Sequence, residues 1–89
     1  MKAVITVTGR DTTGIIAKVS TKCAENEVNI IDISQSVLKD FFAMTMLCET
    51  NSKNFDFAAF ADEMKALGVE MGLDIHAMHE DIFNSMHKI

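Results

Sequence analysis

The sequence predicts an α+β sandwich in the order strand, helix, strand, strand, helix, strand, and three observations carry that prediction. A β-branched run, Lys2 to Thr8, leads through a glycine-bounded loop into apolar residues at helical spacing. The stretch from Val28 to Thr50 alternates apolar with polar residues on either side of Lys39-Asp40. Beyond Gly68, the residues Val69, Met71, Leu73, Ile75 and Ala77 alternate with Glu70, Gly72, Asp74, His76 and Met78, the cleanest period-2 signal in the chain.

Each element follows in turn. Ile15, Ile16, Val19 and Cys23 form one stripe of a helix expected from Gly14 to Glu25, ending near Asn26, a residue that tolerates the left-handed conformation found past helix ends. Ile31, Ile33 and Val37 then alternate on one strand, and Phe42, Met44, Met46 and Cys48 on the next. Lys39-Asp40 is the turn between them, without the Asn-Gly pair of the tightest hairpins. Asn51-Ser52-Lys53-Asn54 supplies a loop and cap for a second helix, in which Phe57, Ala61 and Met64 share a face and which Gly68 ends. The last strand follows from Val69. Ile82, Phe83, Met86 and Ile89 fall on one face of a short helical tail starting near Asp81, which needs a surface to dock on. The sum is a ferredoxin-like βαββαβ sandwich: an antiparallel four-stranded sheet, two helices on one face, the other face open, and a short C-terminal helix. Residues 1–89 read as one domain, with the tail at 80–89 as a docking helix.

Composition bounds the function. A chain of 89 residues leaves much of its surface in water, and 48% hydrophobic content with seven methionines and six phenylalanines leaves apolar surface to cover, so self-association is expected. Disulfides are not the expected source of stability, because Cys23 and Cys48 each lie in an apolar stripe, where free cysteine is common. A net charge of −5 argues against a nucleic-acid partner, whose affinity rests on clustered Lys and Arg. No apolar run approaches a membrane span and no signal-peptide pattern opens the chain, so a cytoplasmic protein without a membrane partner is expected.

The chemistry-bearing residues are sparse. An RNA-binding sheet of this topology would expose aromatics on its central strands, and the chain has no Trp or Tyr. Cys23 and Cys48 do not make the Cys-x-x-Cys pair of a metal chaperone. His76 and His79, an odd number of residues apart on a strand, point to opposite faces, and His87 sits in the tail. Asp62-Glu63 and Glu80-Asp81 read as a solvated helix face and a helix start. No nucleophile-base set is suggested by spacing, so no catalytic residue, metal or cofactor is expected.

The loop Gly9-Arg10-Asp11-Thr12-Thr13-Gly14-Ile15 is different in kind. It delivers backbone N–H groups to a helix N-terminus, where hydrogen bonding and the helix dipole favour a carboxylate or phosphate. Glycine at each end lets the backbone turn and approach a guest. The plainer reading is a strand-to-helix turn with Asp11, Thr12 or Thr13 as N-cap.

Two segments resemble the ACT domain, a small module that senses amino acids and other metabolites. Val7-Thr8-Gly9-Arg10-Asp11-Thr12-Thr13-Gly14-Ile15 is similar to the family's strand, Asp-x-Pro-Gly and helix start, with Thr13 where many members carry proline. Val28-Asn29-Ile30-Ile31-Asp32-Ile33-Ser34-Gln35 is similar to its second strand. The resemblance covers nearly the whole chain and is nearest to the ACT modules of formyltetrahydrofolate deformylases and glycine-cleavage repressors, a subgroup that Phe42-Ala43-Met44-Thr45-Met46 also fits. It implies a homodimer or tetramer with a ligand, an amino acid, between the first loop of one subunit and the second strand of its neighbour. Asp11, Thr12, Thr13, Gly14 and Ile15 match the first position, and Asn29, Ile30 and Ile31 the second. The ligand's carboxylate would meet the N–H groups at Thr13, Gly14 and Ile15, with Asn29 at its polar end and Asp11 at its ammonium. The resemblance implies regulation without catalysis. The alternative is a module that binds no metabolite and docks a protein partner through its open sheet face, its methionines and its tail.

Overall fold

The computed structural model describes residues 1–86 and bears out the predicted architecture. Seven elements follow one another: β1 (Lys2–Arg10), α1 (Ile15–Glu25), β2 (Asn29–Leu38), β3 (Phe41–Glu49), α2 (Phe57–Met71), β4 (Leu73–His79) and α3 (Glu80–Met86). The sheet is ordered β2-β3-β1-β4, and all its pairings are antiparallel. The chain thus threads its first and third strands through the middle of the sheet, where a strand must be apolar on the helix side.

The core forms between the sheet and the two long helices. Ile5, Val7, Met44, Met46, Cys48 and Ile75 meet Val19, Cys23, Phe60 and Met64 there, and all are essentially buried. The alternation in β3 therefore falls as expected, with Phe42, Met44, Met46 and Cys48 inside. Met44 and Met46, two of the methionines expected to serve a docking face, are thus core residues, because their strand parity points them at the helices.

One cap conformation and three boundaries differ from expectation, each for a local reason. At the end of α1, Asn26 is not left-handed; Glu27 takes that conformation with φ 58, while the Asn26 side chain donates to the Lys22 carbonyl and to Glu63 Oε2. The cap of α2 is Asp56, whose Oδ1 accepts from Ala59 N–H at 3.1 Å, rather than the 51–54 cluster. Gly68 does not end α2, which runs on to Met71 and stops at Gly72 in the left-handed region with φ 70. Gly68 is instead a close-packing residue, since a Cβ there would sit 2.7 Å from the Leu73 carbonyl and 3.1 Å from Ile75. The last strand accordingly starts at Leu73, and Val69 is a highly exposed helical residue.

The face of the sheet away from the long helices is polar. Ser34, Thr45, Thr6 and His76 lie in register across all four strands, and Ser36, Ala43, Thr8 and Asp74 form the next row. This face is not wholly open: α3 packs against β1 and β4, and Val4, which points that way, is 3% exposed. The tail's expected stripe is divided, with Phe83 half-buried and Ile82 and Met86 exposed; Ile89 and His87 lie outside the described residues.

Candidate functional site

The chain leaves β1 through Gly9 and Arg10 and enters α1 at Gly14. Gly9 has φ 150, and a Cβ there would meet Leu73 Cδ2 at 2.7 Å, so this glycine serves packing against β4 rather than access for a guest. Gly14 is the N-cap of α1, with φ 86 and open space where a Cβ would be. The expectation that Asp11, Thr12 or Thr13 caps the helix is not met. No side chain hydrogen-bonds the cap among the described residues, and the first-turn N–H groups have no carbonyl within the helix to reach. The helix start therefore faces solvent as a positive pole framed by Asp11, Thr12 and Thr13, all exposed.

Beside that pole lies an open cavity of about 210 Å³ lined by Asp11, Thr12, Gly14, Ile15, Ile16, Ala17 and Phe42. Ile16, Ala17 and Phe42 were not among the residues expected there. Phe42 reads from sequence as a core position, which it also is; only the packing of β3 beneath α1 shows that it borders the cavity. The loop is held from below. Asp11 N–H donates to the Asp40 carbonyl at 2.7 Å, and Arg10 Nη2 stands 3.6 Å from Asp40 Oδ2. The β2–β3 turn, where Lys39 is left-handed with φ 59, thus anchors the loop by a main-chain bond. The Arg10 pair is fully hydrated and adds little to that.

The second expected group, Asn29, Ile30 and Ile31, lies elsewhere. Asn29 pairs with Glu49, whereas the loop borders Phe42, and the β3 run between those positions spans roughly 24 Å at about 3.4 Å per residue. The structure therefore does not bring the two groups together within one chain. Ile31 is the extra residue of a bulge between Ile30 and Asp32, which lets Ile33 as well as Ile30 lie on the helix side, opposite Met46 and Cys48, and leaves Ile31 44% exposed. With Ile33, Val37, Leu38 and Phe41 also exposed, edge strand β2 and its turn present an apolar margin beyond the helices.

The other candidate groups are local. His76 Nε2 lies 3.3 Å from Asp74 Oδ1, and His79 Nδ1 accepts from Asp81 N–H at 3.1 Å. Among the described residues, no three His, Cys, Asp or Glu side chains converge on a point. No helix of the described residues is long and apolar enough to cross a membrane. The cysteines, far apart in sequence, are both buried and free and belong to the same core cluster. Interaction with Cys23, and then burial, push the Cys48 thiol well above the ordinary thiol range, while interaction with Cys48 draws Cys23 down against the opposing effect of its own burial.

The geometry can be set beside known proteins. The family model described as "ACT domain" matches residues 2–78. A protein of Methanosarcina acetivorans designated UPF0237 protein is 45% identical over 86 residues, covering 97% of this chain and 94% of its own length. An ACT domain protein from Streptococcus pneumoniae is 42% identical, with a TM-score of 0.81 and 93% of each chain covered. A glycine cleavage system transcriptional repressor superposes at a TM-score of 0.71 with 25% identity, over 85% of this chain and 43% of that one. A Pseudomonas putida formyltetrahydrofolate deformylase, at 12% identity and a TM-score of 0.77 over 88% of this chain and 28% of that one, shares the fold. With its fold, its two motifs and these relatives in agreement, this chain belongs to the ACT domain family.

Proposed function

We propose that the chain is a regulatory protein that binds a small metabolite, an amino acid, at a site shared between two copies of itself, and that it performs no catalysis. The observation that carries this reading is the separation of the two motif segments: the Gly14 loop and Asn29–Ile31 lie at opposite ends of the sheet, so one chain holds only half of the site. A second copy packed along the apolar margin of β2 in antiparallel sense would bring its Asn29–Ile31 to the first copy's loop. The ligand's carboxylate would then meet the N–H groups at Thr13, Gly14 and Ile15, its ammonium Asp11, and its side chain the apolar wall of Ile15, Ile16 and Phe42. Regulation follows if the ligand binds two arrangements of the assembly with different affinity.

A thermal-shift screen against the proteinogenic amino acids and folate-pathway metabolites tests this. A ligand at 100 times its Kd stabilises by about 2.7 kcal/mol. One compound should raise Tm by several degrees, and Gly14→Val, which puts a branched side chain at the helix start, should remove that response while the protein stays folded. A uniformly silent screen overturns the reading and favours docking of a protein partner, for which the exposed Ile82 and Met86 of α3 provide an apolar contact.

A further inference from the structure

We propose that the outer face of the two long helices is a second interface of this protein with itself. Two copies stack helix layer on helix layer about a two-fold axis that runs along the groove between α1 and α2. The contact uses neither the ligand loop nor the edge of β2, and it stands whether or not a metabolite binds.

The relative height of the two helices comes first. Asn26 Nδ2 donates to Glu63 Oε2 at 3.0 Å, and Lys22 and Leu67 border both of the open cavities, of about 260 and 200 Å³, that lie between the helices. Numbers therefore rise along α1 as they fall along α2, and the helices are antiparallel. At about 1.5 Å per residue, a further turn sets Lys18 level with Glu70, and Val69 level with Ser20 and Thr21. The groove thus has one wall with Lys18 and Lys22 on α1, where Glu25 is held by Lys22 at 3.4 Å, and an acidic wall with Glu63 and Glu70 on α2.

The outer surfaces fit each other in shape. Val69, on α2, is 78% exposed. At its height α1 presents Ala17, Ser20, Thr21 and Ala24, whose spacing i, i+3, i+4, i+7 frames one hole on a helix surface. Both hydroxyls of that hole are satisfied within α1: Ser20 Oγ donates to the Ile16 carbonyl at 2.6 Å, and Thr21 Oγ1 to the Ala17 carbonyl at 2.7 Å. An apolar side chain can cover the hole without stranding a donor. Val69 does not fill the hole of its own chain, because Ala17, Thr21 and Ala24 are themselves exposed.

Charge selects a second copy as the occupant. A two-fold along the groove keeps every residue at its height and exchanges the two sides, so α1 of one copy lies on α2 of the other. Each Val69 then enters the hole on the other copy's α1, and each lysine wall lies over the other's glutamate wall, with Lys18 above Glu70. The perpendicular two-fold would instead set α1 on α1 and α2 on α2, opposing lysine to lysine and glutamate to glutamate. Joined to a pairing along β2, the helix contact makes a tetramer.

Light scattering on the full-length protein tests this. Val69→Glu, a change at an exposed position, should leave the circular dichroism spectrum unchanged and halve the mass of the assembly. Lys18→Glu and Glu70→Lys should each weaken association about tenfold, and the two together should restore it. Added to Ile33→Glu and Val37→Glu, which remove the β2 contact, Val69→Glu should turn a dimer into a monomer. Loss of the helix contact is thereby read apart from loss of the β2 pairing on which the ligand reading rests. A mass that Val69→Glu leaves unchanged in the otherwise unaltered chain overturns the proposal, as do two charge reversals that fail to restore association when combined.

Discussion

Three glycines show how one residue type serves different physical ends. Gly68 is buried where α2 meets β4, and Gly68→Ala places a methyl 2.7 Å from a backbone carbonyl that cannot yield cheaply. The expected cost is about 1–3 kcal/mol, read as a fall in Tm of roughly 4–8 °C per kcal/mol. Gly72 has open space around it but a φ of 70, so Gly72→Ala should cost only the left-handed strain of about 1–2 kcal/mol. Gly14 shares that conformation at the mouth of the cavity, and Gly14→Ala should lower stability by a similar amount while weakening ligand response far more than Gly72→Ala does. Comparing the three by thermal unfolding, with and without ligand, separates packing from backbone strain and both from binding. The sequence marks Gly9, Gly14 and Gly68 as turns or ends and places Gly72 within the last strand, without saying which is packed and which is turned. That depends on what lies beside each one.

At the scale of elements, helix α2 rests on its cap and on Phe60 and Met64. Removing the carboxylate in Asp56→Ala should cost about 1 kcal/mol by denaturant titration, with an unchanged m-value. Strand β2 makes a different claim. Its helix-side residues Ile33 and Val37 lie beyond the cover of α1 and are about half exposed, an unusual use of β-branched residues on a sheet edge. The double substitution Ile33→Glu and Val37→Glu should leave the monomer folded and give a species of lower mass by light scattering than the unaltered chain; an unchanged mass would move the interface off β2. The tail α3 covers Val4, so truncation after His79 should expose an apolar patch on the central strand and lower Tm measurably.

For the whole molecule, the sheet divides the work between its two ends. The loop of Asp11 to Ile15, anchored by Asp40, occupies one end; the start of β2, the N-terminus and the cysteine pair occupy the other. If two copies share the site, ligand and association are linked, so the ligand-induced Tm shift should depend on protein concentration. A shift that is the same across a hundredfold dilution would place the whole binding site in one chain. The polar far face, with its row of Ser34, Thr45, Thr6 and His76, is poorly suited to the apolar docking expected of it, since Met44 and Met46 point the other way.

The order of elements, the apolar alternation of β3 and the loop at Gly14 were legible in the sequence because each is a local pattern that strand or helix geometry reads directly, and the family motifs because they resemble those of known members. The run of helix past Gly68, the capping by Asp56 and the division of the tail were not, because they turn on which backbone a residue meets across the core. The same reason governs the sites. The family resemblance singles out Asp11–Ile15 and Asn29–Ile31 as two segments, but only the antiparallel register of β2 on β3 sets them at opposite ends of the sheet. Spacing likewise separates Cys23 from Cys48, and only the packing of α1 on the sheet buries both in one core cluster. Local periodicity thus determined the elements, while contacts distant in sequence, whose geometry no local pattern encodes, decided what those elements bring together.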